Sequence, residues 1–270
     1  MTEADRQIAG RYTVQSVARA LRVVEMVADG PVTGVTLSEL ARGLGISKSS
    51  TLSLARTLAG FGYLTDNHPG YTLGPALGRL GDALFRQFPL FGLARPAIED
   101  LLRTTQLTSQ VAVSDHDYLV FVDRVFSPGK VRFYTQLGER EPPCQSAAGK
   151  AILSAMDEEG IRRMCAETGL AARTAHTITD VDALLDNLAA ARRLGFAVDD
   201  EEDSDGVVCV GAAFFGRGDS CAGALSVTGG KDELPASRIR ELGGIVRRAA
   251  DHVSTILGGR SYADLGLAAY

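Results

Sequence analysis

Residues 36–58 read TLSELARGLGISKSSTLSLARTL, and this stretch decides the fold of the N-terminal part. Thr36-Leu37-Ser38-Glu39 has the spacing of a capping box, in which the Thr36 hydroxyl caps a helix start and Glu39 reaches back. The helix opened there predicts Leu37, Leu40, Ala41 and Leu44 on its buried side and a stop at Gly45. Ser47 caps the next helix, whose predicted inward face is Thr51, Leu54, Ala55, Leu58 and Phe61. A tight Gly-x-Ser turn therefore joins two short amphipathic helices.

Upstream, Val14, Val17, Ala18, Leu21, Val24 and Ala28 recur three and four apart and predict a first helix that stops at Asp29-Gly30-Pro31. Downstream of Gly62, Tyr63-Leu64-Thr65 and Tyr71-Thr72-Leu73 flank the turn-forming run Asp66–Gly70, which predicts a hairpin. Three helices followed by a hairpin make a winged helix-turn-helix. A plain three-helix bundle shares the inward pattern, so the outward face of the third helix discriminates. That face carries Ser49, Ser53 and Arg56, flanked by Leu52 and Thr57. Small hydroxyls and one arginine suit base edges and phosphates in a major groove, whereas a merely solvated face more often holds Glu and Lys. The expected DNA contacts are Ser16, Arg19, Lys48, Ser49, Ser50, Ser53, Arg56 and Thr57. Lys48, Ser16 and Arg19 are expected nearer the phosphates.

Pro75 at a tolerated first-turn position opens another helix, with Leu77, Leu80, Leu84 and Phe88 in one stripe and Pro89 at its end. Lying between two parts of the chain, it is a candidate dimer contact, although packing on its own chain would use the same stripe. Beyond residue 106 the pattern becomes α+β. Strand-like runs are Ser109–Ser114, Tyr118–Val125, Val131–Gln136, Phe196–Asp199, Val207–Phe215 and Cys221–Thr228. Helical runs are Arg95–Thr104, Ala147–Met156, Glu158–Glu167, Asp180–Leu194 and Pro235–Leu257. Short connections between the strands predict an antiparallel sheet with helices packed against it. The last helix should bury Ile239, Leu242, Val246, Ala249, Val253 and Ile256, with a fraying tail after Gly258-Gly259. The expected organisation is a DNA-binding part over 1–74, a linker helix over 75–91, a sheet domain over 92–258 and a tail over 259–270.

A chain of 270 residues, 45% hydrophobic and 23% charged, fits an ordinary globular protein of two domains. No run approaches the roughly 18 apolar residues that span a bilayer, and the polar Met1–Asp5 start is unlike a signal peptide. Four scattered cysteines without a Cys-x-x-Cys pair indicate reduced thiols, and hence a cytoplasmic setting. Neither the cysteines nor the four histidines give metal-ligand spacing, so no metal and no cofactor is expected. The net charge of −5 is unevenly spread: residues 1–74 hold seven Lys/Arg against six Asp/Glu, and the remainder 21 against 27. An acidic C-terminal part beside a near-neutral N-terminal part fits a DNA reader whose positive charge is local.

Taken in order, these segments resemble the IclR family of bacterial transcription regulators over roughly residues 12–258. Ser16–Leu21 and Leu37–Ala41 match its first two helices, Lys48-Ser49-Ser50 the opening of its recognition helix, and Gly62-Tyr63-Leu64 with Tyr71–Gly74 its wing. Gly138-Glu139-Arg140 leading to Ala148–Leu153 resembles its characteristic loop and helix, and Arg193–Glu202 followed by Gly206–Cys209 a further signature. The resemblance implies a GAF-like C-terminal domain that binds a small organic, often aromatic, acid as effector. It also implies a dimer, or a dimer of dimers, on double-stranded operator DNA. Carried over position by position, the effector pocket should include Ala147, Ala148, Asp199, Cys209, Ser226 and Thr228.

That set is physically coherent. Ala147–Gly149 open a helix whose first amides favour an anion, and Ser226 and Thr228, two apart on a strand, face the same side. Solvent-facing hydroxyls and a packing thiol at Cys209 are the plainer alternative. This chain departs from the family at Ser53, where arginine is usual, at Cys144, where histidine is common, and at Ala213, where proline is usual.

Three competing interpretations are weaker. Cys144 just before a helix suggests a nucleophile, yet no histidine is near it in sequence. Ala148-Gly149-Lys150-Ala151 fails as a phosphate loop, because Cys144 stands for the first glycine and Ala151 for the Ser/Thr. Asp199–Asp203 lacks the spacing of a calcium loop and reads as a solvated turn, Asp199 excepted. No catalytic residue is therefore expected, and a DNA-binding regulator that has lost ligand response is the remaining alternative.

Overall fold

The computed structural model describes residues 13–87, 90–128 and 137–266, and the chain divides into two units, residues 1–88 and 89–270. In the first unit the capping box forms as its spacing predicts. The Thr36 hydroxyl accepts from the Glu39 amide at 3.3 Å, and the Thr36 amide donates to the Glu39 carboxylate at 2.8 Å. Helix α2 (Leu37–Leu44) stops at Gly45, whose φ of 64° lies in the left-handed region that glycine adopts without penalty. Helix α3 (Lys48–Gly60) starts at the Ser47 cap, and the preceding α1 spans Gln15–Ala28. Strands β1 (Val35–Thr36), β2 (Leu64–Asp66) and β3 (Gly70–Leu73) form an antiparallel wing in the order β1-β3-β2. Helix α4 (Pro75–Gln87) follows. Phe88 and Pro89, expected at its end, lie outside the described residues.

The core of this unit joins Val23 and Val27 to Val35, Leu40, Ala55, Leu64 and Tyr71. Two expectations need correction. Val14, Val17 and Leu21 are 61%, 55% and 60% exposed, so most of the predicted stripe of α1 faces outward and the helix meets its core through Val23 and Val27 instead. Phe61, predicted inward, is 74% exposed, because α3 ends at Gly60 and the chain turns away at Gly62. Thr51 is fully buried, and its hydroxyl donates to the Ser47 carbonyl at 3.0 Å, which satisfies it in an apolar setting.

Among the described residues the second unit is built on a six-stranded antiparallel sheet. Its strands are β4 (Thr108–Asp115), β5 (Tyr118–Val125), β6 (Arg140–Glu141), β7 (Ala197–Asp200), β8 (Val207–Phe215) and β9 (Cys221–Gly230), in the order β6-β5-β4-β9-β8-β7. The expected strand Val131–Gln136 lies outside the described residues. Alternation along β8 divides its side chains. Val208, Val210, Ala212 and Phe214 join one core with α5 (Leu90–Thr105) and α9 (Ala236–Leu257), while Ala213 and Phe215 join another with α6 (Ala147–Leu153). Helices α7 (Glu158–Thr168) and α8 (Val181–Leu194) enclose a smaller cluster around Ile161, Met164 and Leu184. Helix α5 begins five residues before its expected start and carries Pro96 within it.

The buried strip of α9 is Leu242, Val246, Ala250 and Val253, with Ile256 44% exposed. Of the tail expected to fray after Gly258, the described residues 259–266 are packed on the domain at Tyr262. Tyr262 is 1% exposed, its ring lies 5.8 Å from that of Phe215, and its amide donates to Asp251 at 2.7 Å.

Candidate functional site

Strand register gathers one set of side chains on the α6 face of the sheet. Asp199 pairs with Cys209, and Cys209 with Thr228, placing the three in a row across β7, β8 and β9. The next row runs Ala197, Gly211, Ser226 and Gln110 across β7, β8, β9 and β4. A Cβ on Gly211 would lie 2.7 Å from the Ala147 carbonyl, so the bare glycine lets the start of α6 rest on the sheet. Between helix start and strands lies a cavity of about 220 Å³ lined by Ala147, Ala148, Asp199, Cys209, Ser226 and Thr228 together. The structure thus brings all six expected pocket residues to one place.

Seven further residues line the same cavity and escaped the sequence reading. Gln110 donates through Nε2 to the Thr228 hydroxyl at 3.3 Å, which in turn donates to Cys209 Sγ at 3.3 Å, while Gln110 Oε1 is buried with no partner. Glu141 comes from the edge strand β6, Asp203 and Ser204 from the turn after β7, and Phe121, Ser146 and Val207 complete the wall. Ser146 caps α6 by accepting from the Gly149 amide at 3.1 Å. That removes Gly149 from the expected anion-binding amides and leaves Ala147 and Ala148 as first-turn donors with no helical acceptor.

The electrostatics are one-sided. Glu141, Asp199 and Asp203 line the cavity, and among the described residues no lysine, arginine or histidine lines it. Burial pushes the Asp199 carboxyl up to about 7, against the pull of the Glu202 amide, which donates to its Oδ1 at 2.8 Å. Burial also lifts Glu141 to about 7, helped by the nearby charge of Asp203. The Cys209 thiol is raised well above its ordinary range by burial. Nearby cations are engaged elsewhere: fully buried Lys150 sits 2.5 Å from Glu202, and Arg173 pairs with Asp203. Asp200 and Glu201 pair with Lys231, so the acidic run is an ion-paired turn. Burial drives the Cys144 thiol up to about 12, which opposes the thiolate a nucleophile needs.

In the first unit, all eight residues expected to meet DNA are exposed. Ser16 and Arg19 of α1 share a shallow surface cleft with Ser50, Ser53 and Thr57 of α3. The Ser53 hydroxyl donates to the Ser49 carbonyl at 3.2 Å and the Thr57 hydroxyl to the Ser53 carbonyl at 2.8 Å. Beside this face runs an apolar groove that includes Val17, Leu21, Leu54, Leu58, Leu77 and Leu80.

Residues 16–68 match the IclR helix-turn-helix domain, and residues 83–255 match the bacterial transcriptional regulator IclR C-terminal domain. The acetate operon repressor of Salmonella typhimurium is 30% identical over 253 residues, covering 91% of each chain. A crystal structure of the Thermotoga maritima IclR superposes with a TM-score of 0.79 at 24% identity, covering 90% of this chain and 99% of that one. An IclR homologue from Microbacterium hydrocarbonoxydans, crystallised with 4-hydroxybenzoate, superposes at 0.72 and 23% identity, covering 90% and 99%. Among the described residues no helix is long and apolar enough to cross a membrane.

Proposed function

Because the chain belongs to the IclR family of bacterial transcription regulators, we propose that a small organic acid, held in the cavity beneath α6, sets its affinity for operator DNA. The observation that carries this is the convergence of Ala147, Ala148, Asp199, Cys209, Ser226 and Thr228 on one cavity. A relative crystallised with 4-hydroxybenzoate supports an aromatic acid as one candidate. In this reading the acid meets the Ala147 and Ala148 amides and the hydroxyls of Ser226 and Thr228. Operator DNA is read by Ser49, Ser53, Arg56 and Thr57, with Ser16, Arg19, Lys48 and Ser50 nearer phosphates. The protein acts as a dimer or a dimer of dimers, since two recognition helices must reach half-sites one or more helical turns apart.

A thermal-melting screen of small carboxylates, followed by calorimetry, tests the sensor half. Ser226→Ala with Thr228→Val should lose binding while operator affinity without ligand stays near wild type. Equal binding by both proteins would remove these two residues from the pocket. For the DNA half, Arg56→Ala should weaken operator binding by about 1–3 kcal/mol in a mobility-shift titration. Unchanged affinity would overturn the assignment of α3 as the reading helix.

A further inference from the structure

The cavity presents a contradiction to an acid ligand. Among the described residues its lining holds three carboxylates and no basic side chain, so these side chains repel an entering anion. Resting on the organic-acid reading above, we propose that the cavity takes up its acid only together with one proton, making effector binding, and the DNA response it drives, pH-dependent near neutrality.

The geometry leaves two carboxyls to hold that proton. Asp203 is paired with Arg173, and Lys150 is committed to Glu202. Glu141 on β6 experiences Asp203 and Arg173 across the turn and Glu139 beside it. Asp199 on β7 experiences Cys209 from β8, Glu202 and Asp203 from the turn, and Lys150 from α6. Burial dominates both, and each is lifted to about 7. A carboxylate ligand beside either one forms an acid–carboxylate pair that shares one proton taken from solvent, because two adjacent like charges cannot both stay ionised. Gln110 gives independent support: it is 4% exposed and lines the cavity, and its Oε1 is a buried acceptor with no partner in the protein. A ligand that brings an O–H satisfies an acceptor of that kind, whereas a bare carboxylate brings no donor.

The test is calorimetry on the full chain with acetate, benzoate and 4-hydroxybenzoate, each beside its uncharged amide. Titrations are run at about pH 6.5, 7.5 and 8.5 in two buffers of different ionisation heat, so that protons taken up per ligand are read directly. The expected result for an acid that binds is little uptake at pH 6.5, where these carboxyls already hold their protons, and uptake approaching one proton at pH 8.5, with the dissociation constant rising about tenfold per pH unit above neutrality. The amides should show neither effect. Glu141→Gln combined with Asp199→Asn should abolish the uptake and flatten the pH profile; the two-buffer result on wild type stands even if that variant fails to fold. An acid that binds equally at all three pH values with no proton uptake overturns the proton coupling and leaves the organic-acid reading intact. Binding by the amides alone, or by no probe at any pH, overturns the organic-acid reading and this inference with it.

Discussion

Asp199 is buried on the sheet face below α6 with its Oδ1 accepting from the amides of Glu202, at 2.8 Å, and Asp203, at 3.3 Å. Those bonds favour the charged form, yet burial outweighs them and the group titrates at about 7 against an ordinary 3.8. Between those values the native state binds a proton that the unfolded state has released, so stability falls as pH rises and the cost is complete above about 7. Asp199→Asn retains an amide oxygen for the two backbone donors and removes the charge. It should stabilise the unliganded protein by about 1–3 kcal/mol at pH 8 and by only about a third of that near pH 5, where the cost has only begun to accrue; the full shift is discounted for relaxation and water entry. Denaturant melts at the two pH values measure this; an equal effect at both would mean that Asp199 is as well solvated folded as unfolded. Ser226 and Thr228 were expected in the pocket from the family resemblance, and a period of two agrees by putting them on one face. Gln110 was hidden because it reaches the cavity only through the pairing of β4 with β9, which joins residues far apart in the chain.

At the level of elements, the cavity exists because α6 sits close to β8, and Gly211 is the point of approach. A Cβ there would lie 2.7 Å from backbone atoms of Ala147, which have no rotamer to escape through. Gly211→Ala should therefore push the start of α6 outward, cost about 1–3 kcal/mol by overpacking, and weaken binding of any cavity ligand. Wild-type melting temperature and ligand affinity in that variant would show that the helix moves freely against the sheet. Helix positions and the wing were legible from caps, breakers and periodicity. The side of α1 that meets the core was not, because its apolar residues occupy more than one face and Val23 and Val27, outside the predicted stripe, take the core. Glu141 was missed for a different reason: a two-residue strand carries no period to detect. The outward apolar stripe left on α1 and α4 supports subunit contact through this unit. Leu21→Glu with Leu84→Glu, at positions 60% and 45% exposed, should leave the fold intact and dissociate the dimer, or dimer of dimers, proposed above. Light scattering reads the outcome, and an unchanged mass would place the interface elsewhere.

For the whole molecule, a ligand in the second unit can alter DNA binding by the first only through unequal affinity for two arrangements of the protein. The coupling is reciprocal: whatever factor the ligand applies to operator affinity, operator DNA must apply to ligand affinity. Charge makes the DNA side sensitive to conditions, because residues 1–74 hold seven Lys/Arg against six Asp/Glu while the rest of the chain holds 21 against 27. With few local cations, phosphate contacts are limited and binding should fall gently with salt. Both arms of the comparison must therefore share one ionic strength. The expected coupling is about 5- to 150-fold, or 1–3 kcal/mol. It is measured by titrating the best acid from the screen into free protein and into the protein–operator complex, and by titrating operator with and without that acid. If the two ratios agree and differ from one in either direction, the cavity and the reading helix belong to one switch. If both equal one while each ligand still binds, the chain is a DNA-binding protein that carries a ligand without responding to it. In that case the proton-coupled cavity governs occupancy alone.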